Sequence, residues 1–526
     1  ATGLHGEGGS LAGRMRWVTG WVWAAVVGAA VLTFRLSVFL VCVLADALRS
    51  SVSDVLQPPR IFSNGSRRVA VVGGGIAGCG AAWALQRSGF EVHVFEAAEA
   101  VGGNAKTFEW DDGVVTGLSV LAWPERYFRN YQRLLGELGI LQTDVDLGFF
   151  VRSADGEGFE TGNLDGGLNR KHAADLETWQ RMVERVRWIN ACFVREGPSA
   201  EPSLYSMSML NPLNVVPLRW VARLSGVSSS FWTDVVVPMY ASTFLSVNLD
   251  AIPAVIVPIV WDIMPLNRAP RLKSWTGNSR AVFDGLTKNV IVHTGFTVTS
   301  VRRDKSGGRL WRVNNERGFH RVVFASSARH VAACTEALPF GHRALFDGIR
   351  YTQHDDPSFV EGLIHTDSES VFPHELHDRL LERHANFIDA RRERGAGGDV
   401  QYANTFILSS WYPEALRSGR RTPRLVTYNA DPAHSPRPEK VVGKVANVWN
   451  HPALSATNLA CLYLLRLVQG REGLYFCGSL ATPGNGHDLS LCSGLAVARA
   501  IGAEYPFVDD AACLSDMVRL AGIMGL

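Results

Sequence analysis

Hydrophobic positions along this chain follow several distinct rhythms. Residues 17–34, WVTGWVWAAVVGAAVLTF, run eighteen positions without a charge, and after Arg35 the apolar run resumes as far as Ala45. As a helix, eighteen residues span about 27 Å, close to the hydrocarbon thickness of a bilayer. Arg14 and Arg16 precede the run, Arg49 follows it, and Trp17, Trp21 and Trp23 stand where an interfacial aromatic belt would lie. The pattern predicts a tail (1–16), a transmembrane anchor (17–45) and a linker rich in turn formers (46–66), with a cleaved targeting segment as the alternative to the anchor.

The rhythm changes at Arg68. RVAVV, residues 68–72, is a short apolar, β-branched run of the kind that forms a buried strand. Gly73-x-Gly75-x-x-Gly78 follows, then a helical stretch to Ser88 closed by Gly89, then EVHVFE ending at Glu96, 23 residues past Gly73. Each part has a physical role in holding a dinucleotide. Gly73 turns the chain and Gly75 lets backbone approach a pyrophosphate. The helix N-terminus near Ile76 and Ala77 carries that charge, Gly78 permits close packing, and Glu96 accepts from a ribose. Further on, residues 212–224 and 231–266 are apolar, aromatic and punctuated by proline. They predict ordinary core first, with the lining of a pocket for a hydrophobic small molecule as the functional alternative.

Composition narrows the class. The chain has 526 residues, enough for more than one core, and 47% apolar against 19% charged residues is the balance of a folded protein. A net charge of +2 carries no nucleic-acid footprint, and the eight cysteines form no C-x-x-C and no zinc-like pairing with histidine, so no metal site is expected.

The glycines at Gly102 and Gly103, soon after Glu96, and the distal segment EGLYFCGSLATPGNGHDLSLCSGLAVARAIG (472–502) resemble the flavin-containing amine oxidase and phytoene desaturase superfamily. Three stretches are most similar to its branch of FAD-binding oxidoreductases: residues 114–140, LIHTDSESVFP (363–373) and GNGHDLSLCSGL (484–495). The chain departs from that pattern at Asn104, Val115, Ser479 and Leu489. The resemblance implies FAD as cofactor. It implies contacts at Gly73, Gly75, Ile76, Ala77, Gly78, Glu96, Ala97, Gly102, Gly103, Asn104, Val298, Gly478, Ser479 and Leu495. His487, Asp488 and His365 are the candidate catalytic residues, with loop-ordering and turn roles as the alternatives.

The expected fold class is α/β: a discontinuous Rossmann-like FAD-binding domain (67–150, 275–335 and 440–507) with an inserted α+β substrate domain (151–274 and 336–439). A transmembrane helix precedes them and a helix or tail (508–526) follows. The expected activity is dehydrogenation, desaturation or isomerisation of a hydrophobic molecule at a membrane. An amine oxidase and a non-catalytic flavin-bearing subunit of a membrane complex are the alternatives.

Overall fold

The computed structural model describes residues 68–526, except 146–147, 162–166, 195–202, 305–309, 353–360, 393–399, 413–421, 431–434, 447–450 and single positions 245, 247, 251, 276, 337 and 339. The chain divides into two compact units, residues 1–62 with 337–345 and residues 63–336 with 346–526. Both major sheets and the helices that flank them belong to the second unit.

Its dinucleotide layer is a five-stranded, fully parallel sheet in the order Leu474–Phe476, Arg321–Phe324, Arg68–Val72, Glu91–Phe95 and Ile291–His293. Val69 to Val72 are buried, as expected of a strand covered on both faces. A helix, Ile76–Arg87, leaves the first strand through the glycine turn. A second helix, His487–Ile501, leaves the last strand through the loop 477–486 and packs along the first. That packing needs glycine. A Cβ on Gly494 would lie 2.1 Å from the Ala77 carbonyl oxygen and one on Gly80 would lie 2.6 Å from Leu491 Cδ1, while one on Gly78 would strike the Gly73 oxygen of the turn at 2.0 Å. The C-terminal helix, Ala511–Met524, is capped by the Asp510 carboxylate, which accepts from the Ala512 and Cys513 N–H groups at 3.0 Å, and it packs on the closing helix.

A seven-stranded sheet forms the second layer, in the order Val441–Ala446, Glu361–His365, Leu425–Tyr428, Val400–Ile407, His384–Arg392, Gly148–Arg152 and Gly158–Glu160. The strands at 148–152 and 441–446 therefore belong to this sheet, whereas the sequence pattern assigns residues up to 150 and beyond 440 to the dinucleotide domain. Hydrophobic alternation identifies a strand but not the sheet it joins. One face carries a core of Phe150, Phe372, Phe387, Ile407 and Leu425. The helix Val237–Phe244 packs on Gly148–Arg152 and His384–Arg392. A π-helical turn, Trp232–Val236, precedes Pro238, where proline withdraws one backbone donor.

The membrane expectation is corrected. Among the described residues no helix is long and apolar enough to cross a membrane. The segment read as an anchor, 17–45, and the linker, 46–66, lie outside the described residues.

Candidate active site

The glycine turn has the geometry its spacing predicts. Gly73 takes φ +109°, in the region open to glycine, and a Cβ there would meet the Ala325 oxygen at 2.8 Å. Gly75 is the N-cap, its helix has no side-chain cap and no acid in the first turn, and a Cβ on Gly75 would meet only Gly103 Cα at 3.8 Å. The positive end of the helix is thus bare on its Gly75 side, which suits a pyrophosphate. Gly102 donates to the Gly74 oxygen at 2.9 Å, holding the second glycine pair against the first loop.

Glu96 directly follows the second strand, and its carboxylate accepts from the N–H groups of Gly74 at 2.7 Å and Ala98 at 2.9 Å. The acid therefore ties the loop in place and keeps lone pairs for ribose hydroxyls. Ala97 is exposed beside it. The Val298 backbone oxygen takes a 2.7 Å hydrogen bond with His330 Nε2. At the far end of the crevice Gly478 takes φ +85°, and its N–H donates to Ser493 Oγ at 2.8 Å. A Cβ on Gly478 would meet the Ala77 Cβ at 3.5 Å, so Gly478 and Ser479 stand beside the first helix, while Leu495 is buried in the closing helix.

A cavity of about 310 Å³ adjoins the loop that opens the closing helix. Its floor is Pro483 to Leu489. Its walls include Leu121, Tyr127, Phe149, Phe244, Ile259, Met264, Phe406 and Trp411. Val120, also on the wall, is held at φ +53°, which for a β-branched residue costs on the order of 1–3 kcal/mol. Strain of this kind fixes the wall's shape.

Two of the three candidate catalytic residues line this cavity. Asp488 is buried and accepts from the Tyr131 N–H at 2.6 Å and from the Tyr205 hydroxyl. Burial pushes its carboxyl up to about 7, only partly opposed by those two hydrogen bonds. Asp516, on the C-terminal helix, is also raised by burial, to about 6, with Arg129 and Arg519 opposing. His487 stands edge-on to Tyr131, ring centroids 4.8 Å apart, and its Nε2 has no hydrogen-bond partner among the described residues. Burial holds its pKa down to about 3, so the ring is neutral at physiological pH.

His365 lies elsewhere. Its Nε2 bonds Thr427 Oγ1 at 2.8 Å on the sheet face that carries Phe387 and Ile407, opposite the face that Phe149 and Phe406 present to the cavity. Neighbouring Asp367 is clamped by Arg437, at 2.8 and 2.9 Å. Burial would raise the Asp367 carboxyl, but the guanidinium and backbone N–H of Arg437 outweigh it and hold it well below the usual carboxylate range. The candidacy of His365 as a catalytic residue is thereby corrected in favour of its alternative, because this pair orders a turn.

The structure also brings in residues that the sequence did not single out. His451 is buried on the cavity wall, with its Nδ1 3.4 Å from Asn104 Nδ2 across 347 positions of chain, and burial lowers it to about 4. Asn485 Nδ2 donates to the Pro452 oxygen at 3.3 Å. Tyr205 meets Asp488 across 283 positions. Separations of that size leave no local signal.

A parallel sheet with a glycine turn, an acid just after the second strand and a closing helix beside a cavity defines a dinucleotide-binding fold. Residues 71–138 match the NAD(P)-binding Rossmann-like domain family. An L-amino-acid oxidase from Pseudechis australis is 31% identical over 144 residues, which cover 24% of this chain and 28% of that protein. The chain thus spans between 14% and 29% of the length of the curated relatives it matches. Among solved structures, a CLA-producing fatty acid isomerase from P. acnes has a TM-score of 0.58 at 14% identity, covering 83% of this chain and 99% of that one. A putrescine oxidase bound to putrescine has a TM-score of 0.55 at 14% identity, with the same coverage. The chain thus shares the fold of the FAD-dependent amine-oxidase-like superfamily, and its dinucleotide-binding segment is similar in sequence to that superfamily's L-amino-acid oxidases. FAD is that superfamily's cofactor, and the bare helix end, the open Gly75 side and the Glu96 carboxylate fit it.

Proposed function

We propose that this chain is an FAD-dependent oxidoreductase acting on a hydrophobic small molecule held in the cavity beside the closing helix. The observation that carries the reading is that cavity, whose largely apolar wall ends at the loop Pro483–Leu489 that opens the closing helix. Bound FAD supplies a centre that accepts two electrons as a hydride. The protein's own contribution is to orient the substrate against apolar walls, to exclude water and to manage one proton. Asp488, poised near neutrality, is the group to take the proton that a substrate sheds alongside its hydride, and the Tyr205 hydroxyl steadies it.

Relatives named as L-amino-acid oxidases raise the amino-acid reading. An α-carboxylate needs a cation, and among the described residues lining the cavity there is no lysine or arginine. Arg187, close by, is committed to Asp262 at 2.8 Å. The reading therefore favours substrates without a carboxylate at the reacting end. The test is anaerobic mixing of the FAD-loaded protein with a panel of unsaturated and saturated lipophilic compounds, primary amines and L-amino acids. Bleaching of the flavin by a lipophilic compound is the expected result. Bleaching by amino acids or amines alone would move the function to an amine or amino-acid oxidase, and bleaching by nothing, with stable partner proteins attached, to a non-catalytic subunit.

A further inference from the structure

Asn386 and Asn404 sit on neighbouring strands of the seven-stranded sheet, at 0% and 1% exposure. In both, the carboxamide oxygen and nitrogen are buried without a hydrogen-bond partner among the described residues. Four such atoms on two residues are unusual, because buried amides are nearly always satisfied. Neither side chain is among the cavity's lining residues, but the sheet register sets both on the face that lines it. Asn386 is the register partner of Phe406 on one side and of Phe149 on the other, and cross-strand partners project to the same face. Both phenylalanines line the cavity. Asn404 lies two residues before Phe406 on the same strand and hence on the same face. Thr243, on the helix packed over the Asn386 strand and its neighbour Gly148–Arg152, also lines the cavity, and its hydroxyl is likewise buried without a partner among the described residues.

We propose that Asn386, Asn404 and Thr243 form a neutral hydrogen-bonding subsite behind the apolar wall, and that the cavity's ligand offers it an uncharged carbonyl or carboxamide group. The proposal rests on reading the cavity as the substrate site. Two carboxamides present donors and acceptors together, which matches an amide, ester or ketone. A carboxylate or ammonium has no counter-charge there. His451 and His487, on the same cavity, are neutral at physiological pH, and an unpaired ion is far costlier to bury than a dipole. Asp488 is the one carboxyl among the described residues lining the cavity, and burial pushes it toward its neutral form, which leaves an ammonium no full counter-charge below about pH 7.

The test is calorimetric titration of the FAD-loaded protein with decanamide, methyl decanoate, decanoate, decylamine and decane. Decanamide and methyl decanoate are expected to bind about tenfold or more tightly than decanoate and decylamine. Asn386→Leu and Asn404→Leu should each erase that preference while leaving decane unaffected and the melting temperature no lower, since leucine leaves no polar atom unpaired. Thr243→Val, nearly isosteric, should weaken the amide selectively and stands in if an asparagine variant fails to fold. Equal binding of decanoate or decylamine, or an amide preference that survives in every variant, would overturn the subsite. Failure of all five probes, decane included, removes the cavity as a ligand site and takes the functional reading with it. Selective amide binding without any flavin reduction upholds the subsite and sinks only the oxidoreductase reading.

Discussion

Asparagine in place of Asp488 is expected to slow flavin reduction by a turning-over substrate by roughly 100-fold or more, the usual contribution of a positioned base. FAD should stay bound, because the residue lies on the cavity and not in the glycine cradle. The wild-type rate should rise through about pH 7 as the carboxyl loses its proton, and the variant should lack that limb. Stability gives an independent reading. The folded-state pKa is raised from 3.8 to about 7, so the favourable contribution of the buried acid is complete below pH 3.8 and lost as pH rises through 7. An amide never ionises. Relative to wild type, the variant should therefore gain melting temperature steadily between pH 4 and pH 8. A difference in melting temperature that is flat with pH, together with an unchanged pH–rate profile, would mean that the carboxyl does not hold its proton in the fold.

Valine in place of Gly494 is expected to do more damage still. Its Cβ would fall 2.1 Å from the Ala77 oxygen and 3.2 Å from the Ala77 Cα, and both are backbone atoms of the first helix. No side chain can rotate away to make room. The two helices must separate, which opens the pairing that carries the cradle on one side and Asp488 on the other. Overpacking of a close contact costs about 1–3 kcal/mol even where neighbours can shift, and a backbone neighbour puts this site at or above the upper end. Circular dichroism melting should show the loss, and the purified protein should be nearly colourless. Gly136, where a Cβ would meet nothing within 4 Å, provides the control: Gly136→Ala should be silent or slightly stabilising.

The two halves of the site are not equally legible in the sequence. The cradle can be read because its parts lie within 29 residues, Arg68 to Glu96, and each has a spacing set by backbone geometry. The closing loop can be read from a second glycine-rich run, which places His487 and Asp488 on the cavity. The sheet that frames the cavity cannot. Its strands are drawn from 148 to 446, and its order sets Gly148–Arg152 beside His384–Arg392, a pairing that no local rhythm encodes. His365 shows the same limit at one residue, since a histidine after an apolar run is equally consistent with either sheet face. Register decides between the faces, and here it turns the ring toward Thr427. Asn386, Asn404 and His451 carry no signal at all, because an amide or imidazole on an apolar strand or loop acquires meaning only from its neighbours across the fold.

The central claim is that a single FAD is held with its phosphates at the turn that begins with Gly73. The most direct measurement is the flavin content per chain of the purified protein, compared with that of the double variant Gly75→Val, Glu96→Ala. One FAD per chain in the wild type and almost none in a variant that still melts cooperatively is the result expected. Equal flavin content in the two proteins, or a wild type that takes up no FAD, would contradict it.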